Sequence, residues 1–201
     1  MGYMVNLMAE GREALVVGGG EIAARKVEDL LAAKARVTVV APQVCEKIEA
    51  LADCIQVRRR PYEADDIGVA FVVIAATNDE TLNARVSRDC AARNVLVNVV
   101  DRPALCTFTV PATVHRGDLA IAIATNGRCP AFASILREEL EARYGVGYGP
   151  LVDRFARLRN QMIAAGSDGP AIRRQIAALY RGGESAAELE HPGGLGDQAA
   201  R

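Results

Sequence analysis

The sequence predicts an α/β chain: a doubly wound parallel sheet, then a β-hairpin, then a small group of carboxy-terminal helices. Three observations carry that expectation. Short β-branched apolar runs alternate with amphipathic helical stretches from Glu13 to Asp101. A glycine-rich turn, Gly18-Gly19-Gly20, separates the first apolar run from the first helical stretch. Past Thr107 the alternation stops, giving way to two short strands and then helical periodicity alone.

Taken in order, strands are expected at residues 14–17, 36–40, 71–75 and 95–99. Ile22, Val27, Leu30 and Leu31 share one face of a helix between the first two, and a helix over 79–92 joins the last two. Residues 107–110 and 119–123 read as a hairpin joined through His115-Arg116-Gly117-Asp118. Pro130 opens a helix carrying Phe132, Ile135, Leu136 and Leu140, which stops at Gly145. Gly147-Tyr148-Gly149-Pro150 reads as a linker. Leu151, Phe155, Leu158 and Met162 recur at helical spacing, and Asp168 caps a further helix with Ile172, Ile176 and Leu179 before Gly182-Gly183. The expected division is 1–105 for the sheet domain, 106–146 for hairpin and helix, 147–190 for a helical domain and a disordered tail over 191–201.

Composition narrows the classes of function. The chain has 201 residues, 50% of them hydrophobic, and a formal net charge of -1. It can bury a core, and it lacks the field that draws proteins to nucleic acids or anionic membranes. With no basic and apolar leader at its start and no apolar run near the roughly 18 residues of a membrane span, a cytoplasmic protein is expected. Five cysteines without Cys-x-x-Cys spacing argue against a disulfide framework or a zinc site, and four of them read as small buried hydrophobes. His115 and His191 are the only imidazoles and have no carboxylate companions, so no protein-held metal is expected.

Gly18, Gly19, Gly20, Glu21, Ile22 and Ala23 match G-x-G-x-x-A between a strand and a helix, the Rossmann-type dinucleotide fingerprint. Glycine there permits a tight turn and backbone approach to a pyrophosphate, while the helix amino terminus supplies amides and a positive dipole end. The second strand ends in Val40-Ala41-Pro42, with neither an acid for ribose hydroxyls nor an arginine for a 2′-phosphate. Ala41 and Pro42 are candidate adenosine contacts, and NAD is the expected cofactor. Thr77 and Asn78 end a strand at the same sheet edge, where they can bond cofactor or cap the helix that follows.

Several further segments stand in a specific order: Ala75-Ala76-Thr77-Asn78-Asp79 with Asn83, Asn98-Val99-Val100-Asp101, Phe108-Thr109-Val110-Pro111-Ala112, Arg116-Gly117-Asp118-Leu119 and Ala124-Thr125-Asn126-Gly127-Arg128-Cys129-Pro130. Together with the fingerprint they make residues 3–144 resemble the precorrin-2 dehydrogenases, the dehydrogenase and ferrochelatase module of siroheme synthases, in its stand-alone form. The resemblance implies NAD-dependent oxidation of precorrin-2 to sirohydrochlorin, with insertion of ferrous iron as a second reaction in some relatives. It also implies a homodimer in which the hairpin and following helices exchange across a two-fold axis, and it matches the family's catalytic aspartate to Asp101. A regulatory NAD-sensing module, or a dehydrogenase of another polycarboxylate, would keep the fingerprint without needing these further segments.

Each remaining candidate has two readings. Asp101 is a turn residue before Arg102-Pro103 or a carboxylate that accepts a substrate proton. Asn98 is either satisfied within its strand or in contact with substrate. Thr125, Asn126 and Gly127 lead into a helix amino terminus able to hold a carboxylate, where Arg128 is a surface charge or a bidentate partner for a carboxylated tetrapyrrole. Cys129 is an incidental small residue or a thiol of lowered pKa, and His115 is a turn residue or a proton shuttle.

Overall fold

A computed structural model of the chain describes residues 2–182, so Gly183, His191 and the expected tail lie outside the described residues. The chain divides into two compact units, Met1–Val110 and Pro111–Arg201.

The first unit is a five-stranded parallel sheet. Its strands are β1 (Glu13–Val17), β2 (Arg36–Val40), β3 (Gln56–Arg58), β4 (Val72–Ala75) and β5 (Leu96–Val99), in the spatial order β3-β2-β1-β4-β5. Successive residues of each strand point to opposite faces, and both faces are covered, so the strands read as continuous apolar runs. Ala14, Val16, Val37, Val39, Val72 and Ile74 pack with Ala23, Ala24 and Val27 of α1 (Glu21–Ala32) and Ile48 of α2 (Glu46–Glu49). Leu15, Val17, Val73, Ala75, Val97 and Val99 pack with Val86 and Cys90 of α3 (Glu80–Ala92). Asp79 caps α3 by accepting a hydrogen bond from the Leu82 amide.

Four expectations change here. The buried face of α1 runs through Ala23, Ala24 and Val27, leaving Ile22 exposed, because small residues let the helix lie close to the sheet. Strand β3 has only three residues, too few to produce a visible alternation. Residues 107–110 are not a hairpin strand: Thr107 bonds Val97 through both its amide and its hydroxyl, which keeps this segment with the first unit. Of the cysteines only Cys90 is buried; Cys45 and Cys106 are half-buried, and Cys54 and Cys129 are exposed.

The second unit opens with an antiparallel hairpin of β6 (Ala112–Arg116) and β7 (Leu119–Ile123). His115 and Arg116 lie in β6, so the turn is Gly117-Asp118 alone. Helices α4 (Pro130–Arg143), α5 (Tyr148–Ala164) and α6 (Gly169–Arg181) follow. The expected linker at Gly147 to Pro150 forms the first turn of α5, where proline is tolerated and where Gly149 lies so close to the hairpin turn that a β-carbon there would press on the Arg116 carbonyl. Arg116 donates to the Tyr144 carbonyl at 2.7 Å and to the Glu141 carbonyl at 3.1 Å, satisfying orphan acceptors at the end of α4. Asp168 caps α6 by accepting from the Ala171 amide at 2.7 Å.

One ion cluster ties β3 to the first unit. The carboxylate of Asp66, 1% exposed, accepts from Arg58 at 2.9 Å, from Arg60 at 2.5 and 2.8 Å, and from the Glu63 amide at 2.9 Å. Burial alone would raise its pKa; the hydrogen bonds from Arg60, Glu63 and Arg58 outweigh that and hold the carboxyl below the ordinary range. A depressed carboxylate stabilises the fold above its unfolded pKa and loses that contribution as acid protonates it. Asp66→Asn is therefore expected to lower the denaturation midpoint at neutral pH, by less than the roughly 3–5 kcal/mol of a fully buried pair because water reaches both arginines. In denaturant titrations over a pH series, the gap between wild type and variant should close below the ordinary carboxylate range; a gap independent of pH would refute the assignment.

Candidate functional site

In a parallel sheet covered on both faces, groups that meet a ligand emerge at the carboxyl ends of the strands. Here the hydrogen-bond ladder runs one step past each strand. The Gly18 amide donates to Val40 at 3.0 Å, the Ala76 amide to Val17 at 2.8 Å and the Val100 amide to Ala75 at 3.0 Å. The ends of β2, β1, β4 and β5 thus form one continuous rim, on which Gly18, Ala76-Thr77 and Val100-Asp101 stand in spatial order.

The fingerprint occupies the centre of that rim. Gly18 has φ 127°, and a β-carbon on it would collide with the Ala76 carbonyl. A β-carbon on Gly19 would collide with the Gln43 carbonyl, and the Gly19 carbonyl accepts from the Cys45 amide at 2.7 Å. Gly20 differs: it caps α1 in an extended conformation with no side-chain cap, and nothing lies within 4 Å of a β-carbon built on it. Two glycines are thus closed in by the protein, while the third opens toward the first turn of α1. The free amides of that turn and the open ground over Gly20 fit a dinucleotide pyrophosphate. Ala23, fully buried, is where α1 meets the sheet.

The other candidates take distinct positions. Glu21 points away into an ion pair with Lys47 at 2.6 Å; that hydrogen bond lowers the pKa of the acid and raises that of the base. The pair keeps a carboxylate at the fingerprint neutralised. Ile22 contributes only exposed surface and its helix-turn amide. Ala41 is buried and Pro42 exposed at the start of the loop that covers Gly19. The Thr77 hydroxyl donates to Asn83 Oδ1 at 2.8 Å, and Asn83 returns a bond to the Thr77 carbonyl at 2.9 Å, so buried Asn83 holds the β4 end of the rim. Thr77 does not cap α3, since Asp79 does so, and Asn78 is exposed beside it.

Asp101 is exposed, has φ 57°, and makes no hydrogen bond or ion pair with the described residues. Neighbouring Arg102 is paired with Glu80 instead. Asn98, 9% exposed, donates to the Phe108 carbonyl at 3.1 Å, which matches the strand-satisfied reading. In the second unit, Thr125 to Arg128 form a tight turn closed by the Arg128 amide on the Thr125 carbonyl at 3.0 Å. Asn126 and Gly127 hold positive φ of 52° and 74°, as a type I′ turn requires. Arg128 is exposed without an ion-pair partner among the described residues; Cys129, also exposed, starts α4 and donates its amide to Thr125 Oγ1 at 3.3 Å. His115 is exposed on β6 opposite Ala120. Among the described residues no group of three or more histidines, cysteines or acids could hold a metal ion, and no helix is long and apolar enough to cross a membrane.

Sequence reasoning did not find two contributors to the rim. Gln43 enters through its backbone, so no residue type could signal it. Cys106 bonds the end of β5 from seven residues downstream, a contact that only the fold creates.

The chain matches two family models: one described as NAD(P)-binding over residues 5–112, and one described as the central part of sirohaem biosynthesis proteins over residues 116–143. It is 42% identical over 183 residues to the siroheme synthase of Pseudomonas entomophila, covering 84% of this chain and 40% of that protein. To the siroheme synthase of Thioalkalivibrio sulfidiphilus it is 42% identical over 151 residues, covering 74% of this chain and 31% of that protein. The chain thus spans well under half the length of these relatives. The solved structure of SirC, precorrin-2 dehydrogenase, superposes with a TM-score of 0.73 at 28% identity, covering 89% of each chain.

The contrast between the glycines is testable. Gly20→Asp should fold with an unchanged melting temperature, since its β-carbon meets nothing, and lose nicotinamide dinucleotide affinity by at least about 100-fold through charge placed against the pyrophosphate. Gly19→Ala should instead lower the melting temperature, because backbone must move. Calorimetric titration and thermal melting of both variants decide; retained affinity in a folded Gly20→Asp would remove the pyrophosphate from this place.

Proposed function

The chain belongs to the family of precorrin-2 dehydrogenases and siroheme-synthase amino-terminal modules, and on that premise we propose that it oxidises precorrin-2 to sirohydrochlorin with NAD. The observation that carries this reading is Asp101: an exposed carboxylate without a partner among the described residues, one residue past the rim position that pairs with β4. An acid left unpaired at the ligand edge of a doubly wound sheet suits proton acceptance better than structure.

Gly18, Gly19, Gly20 and the first turn of α1 would hold the pyrophosphate, with Ala41 and Pro42 toward the adenosine and Thr77 and Asn78 at the neighbouring strand end. Bound there, NAD supplies an acceptor for a hydride. Asp101 takes the proton that must leave as the new double bond forms, so that the macrocycle loses two hydrogens in all. The Thr125, Asn126, Gly127 and Arg128 turn offers a free guanidinium and an uncapped helix terminus to the substrate carboxylates. Asn98 supports the β5 end from within. NAD is favoured over NADP because the run Arg58-Arg59-Arg60, which β3 brings beside Val40, is spent on Asp66 and Glu49. Ferrous iron insertion into the product, where it occurs, needs a base for the pyrrole N–H protons and could use the same carboxylate.

A homodimer belongs to the same reading. In the second unit Phe132 and Ile135 of α4 are 51% and 52% exposed, and the outer hairpin face shows Ala120 and Ala122 to solvent. A two-stranded sheet with one open face is marginal by itself, and a second copy would cover it. Light scattering should give twice the chain mass at micromolar concentration, and Phe132→Glu should shift it to the monomer; a monomeric wild type would contradict the assembly.

Asp101→Asn should bind NAD as wild type does and oxidise precorrin-2 about 10²- to 10⁴-fold more slowly, the usual contribution of a positioned proton acceptor. Binding and turnover are measured separately, because a parallel fall in NAD affinity would indicate damage to the rim rather than loss of a base. Wild-type turnover in the variant would make Asp101 a turn residue only.

A further inference from the structure

The structure assigns to Cys106 the positioning of the Asp101 carboxylate, an inference that rests on reading Asp101 as the base. Strand β5 is the last in its sheet, so one edge of it has no strand to pair with. Side chains from residues 106 and 107 take that place. The Val97 amide donates to Thr107 Oγ1 at 2.8 Å, and the Val99 amide donates to Cys106 Sγ at 3.1 Å. The same sulfur lies 3.2 Å from the Val99 carbonyl and 3.3 Å from the Arg102 carbonyl. Its single proton can serve either acceptor while a lone pair receives the Val99 amide. Cys106 therefore grips the chain two residues before Asp101 and one residue after it.

That grip matters because nothing among the described residues holds the Asp101 side chain itself. Its side chain makes no hydrogen bond or ion pair with the described residues, so the backbone alone decides where the carboxylate stands. That backbone is in the left-handed region at φ 57°, which a non-glycine residue keeps only when its surroundings enforce it. The backbone closes the turn with the Arg102 amide on the Val99 carbonyl at 3.2 Å, and the loop beyond it is tied by the Leu105 amide on the Arg102 carbonyl at 2.9 Å, the Cys106 amide on the Pro103 carbonyl at 3.1 Å and the Ser87 hydroxyl on the Leu105 carbonyl at 2.8 Å. The sulfur adds side-chain bonds to the same two residues, Val99 and Arg102, and so braces that turn. A serine at 106 keeps a donor and an acceptor with a shorter reach. A valine fills the space but leaves the Val99 amide without a bond.

The test is a double-mutant cycle on the full chain, with kcat, KM for precorrin-2 and Kd for NAD measured for each variant. Cys106→Val is expected to lower kcat about 10- to 100-fold, the scale of a misplaced reacting group, with Kd for NAD unchanged. Cys106→Ser should recover most of the loss. In the Asp101→Asn background Cys106→Val should have no further effect, because there is no longer a base to misplace. Should the valine variant fail to fold, Cys106→Ala goes through the same cycle. An equal loss in both backgrounds, or a fall in NAD affinity parallel to kcat, would overturn the positioning role. A deficit in Asp101→Asn with none in the Cys106 variants sinks the positioning role alone, whereas wild-type turnover in Asp101→Asn sinks the base assignment beneath it.

Discussion

The backbone of Gly18 and Gly19 passes so close to the Ala76–Thr77 peptide and the Gln43 carbonyl that neither position has room for a β-carbon. Much of the first unit is arranged around that passage. Because β1 must turn there and start a helix within three residues, α1 lies over the sheet on Ala23 and Ala24, its amino terminus facing the rim. The loop after β2 is drawn over Gly19, and the Lys47–Glu21 pair joins α2 to the first turn of α1. The one glycine left open, Gly20, marks the direction from which a ligand can approach.

The rim then divides into supports and free groups. Asn83 spends its amide on Thr77 and Asn98 on Phe108, while Thr107 and Cys106 bond the bare edge of β5, so the ends of β4 and β5 are held by polar side chains, of which Asn83 and Asn98 are buried. Buried amides at a sheet edge demand such partners. Against that background an unpaired carboxylate at Asp101 stands out, since nothing in the folding of the unit requires it. The second unit follows different rules. Few of its side chains are fully buried, and much of its order comes from capping: Arg116 on the end of α4 and Asp168 on the start of α6.

Periodicity and motif made the parallel sheet, the nucleotide turn and the positions of α3, α4 and the last two helices legible in the sequence. These features are local: a strand buried on both faces must be apolar throughout, a fingerprint spans six residues, and a helix shows its face within two turns. The cap at Asp168 was legible for the same reason. The ordered set of segments also identified the family, because each carries side chains at a strand end or a turn.

Tertiary structure decided what depends on distant partners. Whether residues 107–110 form a hairpin strand or border β5 turns on a hydroxyl meeting Val97, which periodicity cannot see. The sequence offered Gly147 to Pro150 as a linker, and only contact of Gly149 with the hairpin turn makes it the start of a helix. The end of the second strand offered no arginine in the sequence, whereas the register of β3 sets Arg58 beside Val40, and its ion pair with Asp66 decides that it is not free. The sequence could name Asp101 as an acid after a strand, since type and order are written in it. That the acid is unpaired, left-handed and gripped by a sulfur from residue 106 follows from where the chain returns, and only packing determines that.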